Sequence, residues 1–554
     1  MTGPADLRVA APVALPDDLP GDRHDAWVLA HRALEQLQLV RDQGPTRARL
    51  ERWAARAEVA GWPEVHVQLL DCLLVGAVLE GAPPRDVRRR ADALLGAALR
   101  ADDEVLLARA IASRVQSLVA TDQPGSAAED FPGELARAVA MLDDAFRAGP
   151  AALGRRAAEL PAGYVECGIA YYRYDLWELE NEMYDRAARA CTLPFAPEDL
   201  PVVELTSSSL PFNRQGNDCT VVCAMLEVGH DVEARELARR RPAGAWLDDA
   251  ALPELWVLEV QATEHLLAVV AAGPDVDPAH RDVPAGLYDA LGRSTWTGYQ
   301  GFLHVAAALA RRALGDLPGA AEQAERALER LDGNAPTVRT LALSLATLTA
   351  QGCPAHRYAQ HLAQARWNAR RQVLAAARAR LAAARTVRDG EALRRALLVD
   401  DLTGLGNRRA WSEHVIATRG RGAEPVAVVL VDLDRFKAVN DTFGHAVGDD
   451  VLRAVGTLLR DVLRPADLAV RLGGDEFALV LGGGADPGQR AQQVVDAVRG
   501  RPWHEVAPGL AVTASAGQAS GTAAQIDALL ATADARLYAA KAAGRDRAAT
   551  DDEA

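Results

Sequence analysis

The sequence predicts a multidomain chain: an N-terminal all-α solenoid of helix-pair repeats, a long linker helix, and a C-terminal α/β domain with a mainly antiparallel central sheet. Three observations carry that prediction. At 554 residues the chain exceeds what one ordinary core holds. From residue 24 to about 350, Ala, Leu, Arg and Glu recur at helical spacing and strand-like alternation is nearly absent. From about residue 398, short apolar runs alternate with helical ones, the pattern of a sheet with helices packed on it.

Hydrophobic content of 49% with 25% charged residues is that of a globular protein. The formal charge, 61 − 76 = −15, repels nucleic acid and acidic membranes, so neither is an expected partner. A polyphosphate ligand would need local cations or metal. No run of 18 or more uncharged apolar residues occurs, and the first residues lack a secretion signal, so no membrane span and a cytoplasmic location are expected. Cys72, Cys167, Cys191, Cys219, Cys223 and Cys353 are irregularly spaced and read as reduced, mostly buried thiols.

Residues 1–23, rich in Pro, Asp and Ala, read as a flexible lead-in. Residues 24–355 form the helical domain, punctuated at Gly61-Trp62-Pro63, at Gly81-Ala82-Pro83-Pro84 and at Gly315-Asp316-Leu317-Pro318-Gly319. Leu303–Leu331 reads as helix, turn, helix, with Ala320, Ala321, Ala324, Ala327 and Leu328 allowing close helix approach. This segment resembles a tetratricopeptide-type repeat. Leu226–His230 followed by Ala234–Ala238 is a weaker copy. A solenoid of this kind offers a concave surface to a protein or peptide ligand.

Residues 356–397 are the linker. Over 356–389 a single helix is expected, with Trp367, Leu374 and Leu381 spaced by seven and Ala377 and Ala384 completing a short coiled-coil seam that Arg370 interrupts. Seven arginines lie between 366 and 388, with no acid until Asp389. Interleaved with Ala rather than aromatics, they read as a solvated helix face, which could dock on an acidic surface of the same chain, rather than as a nucleic-acid site.

The C-terminal domain spans 398–549, followed by a tail, 550–554. Its predicted order is a strand Val426–Asp432, a helix 446–463, a hairpin 468–482, a helix 487–499, a strand 509–517 and a helix 524–543. The hairpin turn, Gly473-Gly474-Asp475-Glu476-Phe477, places two adjacent carboxylates at an apolar tip, with two glycines free to take positive φ. The strand 426–432 ends in Asp432-Leu433-Asp434, whose carboxylates project to one face. Four carboxylates at one end of a sheet suit a divalent cation.

Asp400-Asp401-Leu402-Thr403-Gly404-Leu405-Gly406-Asn407-Arg408-Arg409, Asp432–Asp441, Gly444–Asp449, Gly473–Phe477 and Leu537–Asp546 together resemble the successive signatures of a GGDEF domain, the family of the diguanylate cyclases. The resemblance implies condensation of two GTP into cyclic di-GMP and two pyrophosphates across a homodimer. It implies Asp432, the Leu433 carbonyl and Asp475 as ligands of Mg²⁺ or Mn²⁺, with Glu476 in the metal environment or activating the attacking hydroxyl. Lys437 would hold phosphate with backbone amides of the Asp434–Phe436 turn, Asn440 and Asp449 would read guanine, and Lys541 and Arg545 would neutralise the β- and γ-phosphates. Asp546 stands where Asn is commoner. Arg464-Pro465-Ala466-Asp467 matches the family's RxxD product-inhibition site. The alternative is a catalytically silent receptor for GTP or cyclic di-GMP acting through the helical domain. Asp432, Gly473, Gly474, Asp475 and Glu476 are all present, as an active enzyme requires.

Overall fold

A computed structural model describes residues 15–39, 44–121, 130–240, 253–292, 298–331, 335–350, 354–464, 467–482 and 486–549. Cys353, Pro465, Ala466 and the tail 550–554 lie outside them, as does most of the N-terminal lead-in. The chain divides into two compact units, Met1–Thr386 and Val387–Ala554.

The first unit is helical throughout its described residues. Its breaks obey the chemistry of its punctuation. Gly61 and Gly81 take left-handed φ (69° and 66°) and end helices, while Pro63 and Pro84 open the next ones, where a missing N–H costs nothing. The helices Gly298–Ala313 and Leu317–Arg330 form the expected helix–turn–helix: Gly315 has φ 83°, and the Asp316 side chain caps the second helix by accepting from Gly319 N at 3.0 Å. Ala324 and Ala327 are buried with Val305, Ala306 and Leu309 in one cluster, and Ala320 is buried as well. The helical stretch Glu254–Asp275 is long and apolar enough by composition to cross a membrane; half of it is buried in the unit. Cys72, Cys167, Cys191, Cys219 and Cys223 are free thiols.

One core region of this unit is polar. Arg109 is 5% exposed and bonds Glu159 and, at 2.7 Å, Gln68 Oε1, while Asp71 accepts from Ser113. Glu166 accepts from Gln116. Burial, and then the neighbouring Asp71, push the Glu166 carboxyl up to about 8, so this acid is held neutral inside the unit.

The linker forms one helix, Pro354–Ala396. Up to Thr386 it belongs to the first unit, and its seam is already filled there. Leu374, Ala377 and Leu381 are 8%, 3% and 2% exposed and join the core cluster of the neighbouring helices, with Ala384 packed beside them. Arg370, which interrupts the apolar seam, is its anchor. Its guanidinium lies 4.3 Å from the Trp177 ring and 4.7 Å from the Trp367 ring and donates twice to Glu178, at 2.7 and 3.1 Å. Arg366, Arg378 and Arg385 pair with Glu227, Glu182 and Asp143 at 3.2, 3.2 and 2.9 Å. The basic run thus meets an acidic surface of its own chain.

In the second unit the elements are α1 (Arg408–Arg419), β1 (Pro425–Leu433), α2 (Phe436–Phe443), α3 (His445–Val462), β2 (Leu468–Gly473), β3 (Glu476–Leu481), α4 (Pro487–Gly500), β4 (Ala514–Thr522), α5 (Ile526–Ala542) and β5 (Ala548–Ala549). The sheet order is β2-β3-β1-β4-β5. The expectation of a mainly antiparallel sheet is amended to a mixed one: β2–β3, β3–β1 and β1–β4 are antiparallel, and β5 joins β4 in parallel. β4 begins five residues later than the hydrophobic pattern indicates. Leu510 and Val512 are buried in the preceding loop, and Gly517–Thr522, small residues but for Gln518, continue the pairing along β1.

β1 is buried on both faces, as its continuous apolar run requires. Ala427, Val429, Val431 and Leu433 pack with α3 and α4; Val426, Val428 and Leu430 pack with α1 and α5. The period of two therefore puts Asp432 on the α5 side.

Candidate active site

The hairpin tip is built as its glycines predict. Gly473 pairs with Glu476, and Gly473 and Gly474 have φ of 152° and 54°. Arg471 fixes the loop, donating to Gly474 O through Nε and a terminal nitrogen at 3.0 and 2.8 Å and reaching Asp400 at 3.3 Å. Burial works against the Asp400 carboxylate, but Thr403 and Arg471 outweigh it and hold its pKa below the ordinary value. Sequence reasoning missed Arg471; its one signal is a cation inside an otherwise apolar strand.

Register brings Asp432 opposite Glu476, and Leu433 N donates to Asp475 O at 3.2 Å. Asp432 is 8% exposed. Burial raises its pKa, Asp475 and Glu476 raise it further, and Lys541 opposes them from α5 with an Nζ–Oδ2 contact of 2.8 Å. Among the described residues no group of three or more acids, histidines or cysteines closes into a metal cage. The tip instead offers carboxylate oxygens that burden one another, a donor set that suits an ion completing its shell with phosphate and water.

Asp434 does not join them, which corrects the expected set of four carboxylates. Just past β1, it is 8% exposed and accepts from Thr513 Oγ1 at 2.8 Å, Ser515 Oγ at 2.7 Å and Asp546 N at 3.0 Å. The i, i+2 rule fails here because the strand ends at Leu433 and Arg435 turns left-handed, with φ 54°.

That turn starts α2. Phe436 lies in the core, so its side chain is structural and only its backbone faces the loop's chemistry; Lys437 is exposed beside it. Asn440, one turn on, packs against Gly448, where a Cβ would stand 1.9 Å from Asn440 Oδ1. The absence of a side chain at Gly448, one residue before Asp449 in α3, thus leaves room for Asn440.

Arg545 is exposed in the turn that follows α5, with φ 66°. Asp467, just before β2, accepts from Arg464 N and Gly482 N, both at 3.1 Å.

Residues 397–547 match the family model for the diguanylate cyclase GGDEF domain. The chain is similar to the diguanylate cyclase DgcP of Pseudomonas aeruginosa, 39% identical over 162 residues covering 28% of this chain and 24% of that one. It is similar to the response regulator PleD of Caulobacter vibrioides, 41% identical over 27% of this chain and 35% of that one. A solved structure of the coiled coil and GGDEF domain of DgcB from Caulobacter crescentus in complex with c-di-GMP matches 32% of this chain and 97% of that one, at 27% identity and a TM-score of 0.28. The chain thus spans about a quarter and a third of the two curated relatives' lengths.

Proposed function

Because the chain belongs to the GGDEF family through residues 397–547, we propose that it condenses two GTP molecules into cyclic di-GMP and two pyrophosphates. The observation that carries this reading is the meeting of Asp432, the Asp475–Glu476 tip and Lys541 at one end of β1. Asp432, the Leu433 carbonyl and Asp475 would hold Mg²⁺ or Mn²⁺, which when bound lowers the hydroxyl pKa and neutralises phosphoryl charge.

The chain's own residues supply the rest. Lys541, whose Nζ stands 2.8 Å from Asp432 Oδ2, would reach the polyphosphate from α5. Arg545 joins it there, and Lys437 with the amides opening α2 holds phosphate at the other side. Asp449 accepts from the N1–H and 2-amino group of guanine, and Asn440 contacts the same edge. Adenine offers no such donor pair and would leave the carboxylate unmatched. Each domain holds one GTP, so two copies must face each other, each 3′-hydroxyl attacking the other's α-phosphate. Arg464 and Asp467 would bind product: the guanidinium suits phosphate and a guanine face, and each Asp467 oxygen keeps a lone pair beyond its backbone bond. The helical domain, with its repeat-like helix pairs, would take a protein or peptide ligand and govern pairing through the linker helix.

Purified full chain with GTP and Mg²⁺ should yield cyclic di-GMP identified by mass, and Asp475→Asn should abolish it. No product over a wide range of protein concentration, with a phosphodiesterase removing inhibitory product, would instead support a nucleotide receptor. Arg464→Ala should shift product inhibition to higher cyclic di-GMP; an unchanged curve would remove the RxxD assignment.

A further inference from the structure

Three of the features above converge on one short turn. Arg545 and Asp546 are consecutive non-glycine residues with left-handed φ, 66° and 55°. Such a pair is sterically costly and persists only where the surroundings hold it. Two groups do so here. From inside, the Asp434 carboxylate accepts from Asp546 N at 3.0 Å, while its other contacts, Thr513 Oγ1 and Ser515 Oγ, fix the carboxylate itself. From outside, Arg499 Nε reaches both Asp546 carboxylate oxygens at 3.0 and 2.8 Å, and a terminal nitrogen of Arg499 donates to Asp546 O at 2.7 Å.

We infer that Asp434 and Arg499 are positioning residues that clamp the Gly544–Asp546 turn and thereby set Arg545 for the polyphosphate. The acid at position 546 gives the clamp its outer half: its charge engages Arg499, which an amide would engage more weakly. Through Asp434 the clamp also ties this turn to the end of β1 that carries Asp432, so the two sides of the phosphate site move together. The inference rests on the reading of Lys541 and Arg545 as phosphate-binding residues.

The test is a pair of double-mutant cycles in the full chain, using initial rates against GTP. Asp434→Ala and Arg499→Ala should each raise KM for GTP about tenfold with kcat falling less. In combination with Arg545→Ala, neither should cost more than about twofold beyond Arg545→Ala alone. Asp434→Asn, which keeps one oxygen for Asp546 N–H, should recover part of the loss. Multiplicative effects, or a lowered melting temperature with KM unchanged, would overturn the inference. If Asp434→Ala does not fold, the Arg499 cycle decides, because that side chain is 43% exposed. A wild-type chain that binds GTP without turnover would refute the proposed cyclase, and the same cycles would then be read by GTP calorimetry. No GTP binding would overturn both.

Discussion

Gly517 is a close contact between the sheet and the helix that carries Lys541. A Cβ added there would stand 2.2 Å from Ala533 O, 2.2 Å from Leu537 N and 2.8 Å from Leu537 Cα, all backbone atoms of α5. Ordinary contact needs well over 3 Å, so in Gly517→Ala the helix must retreat by roughly 1 Å or more. Overpacking of this kind costs about 1–3 kcal/mol, which for a domain near 150 residues lowers the melting temperature by about 3–10 °C. Lys541 lies one turn beyond Leu537, so the retreat also stretches its 2.8 Å contact with Asp432. A displacement near 1 Å at reacting groups can cost about a hundredfold in rate. Calorimetry and cyclic di-GMP formation would be compared for wild type, Gly517→Ala and Gly482→Ala, where an added methyl meets open space. A Gly517→Ala protein with wild-type melting and wild-type turnover would refute the account of how α5 is seated.

Other substitutions test other parts. Glu166 has a folded pKa of about 8, above its ordinary carboxyl value, so the unfolded chain loses this proton first and stability falls as pH rises from about 4.5 through 8. Glu166→Gln should therefore raise the melting temperature more at pH 8 than at pH 5, and an equal gain at both would contradict the buried neutral acid. Arg370→Ala removes two cation–π contacts and a bidentate ion pair, and should loosen the 354–386 stretch by about 2–4 kcal/mol. Faster amide exchange there than in Arg371→Ala is the expected reading; equal exchange would dismiss Arg370 as the anchor. Arg471→Ala frees Gly474 O, and should lower kcat/KM about tenfold with the melting temperature little changed. Full activity would show that the tip holds its shape unaided.

What the sequence reveals about this molecule is mostly what local rules govern. Gly473 and Gly474 announce a turn needing positive φ, and the apolar run before Asp432 announces a strand covered on both faces. Asp432, Asp475, Glu476 and Lys541 then meet because register and helix packing follow from those elements. Asp434 is misread for a reason of the same kind: its role depends on Thr513 and Ser515, some 80 residues away, and on where β1 stops. Arg370 likewise looks like a flaw in a seam until Trp177, distant in sequence, closes over it. β5 is two residues long and carries no pattern of its own.

The filled seam of the linker helix has a consequence for how copies of the chain can meet. A contact made within one chain is first order, with an effective concentration in the millimolar range, about a thousandfold above micromolar copies in solution. Pairing between chains through Leu374, Ala377 and Leu381 therefore starts about 4 kcal/mol behind. Raising the amount of protein moves that balance only slowly, whereas weakening the grip on Arg370 moves it at once. The seam behaves as a threshold set by affinity within the chain rather than by how much of the chain is present.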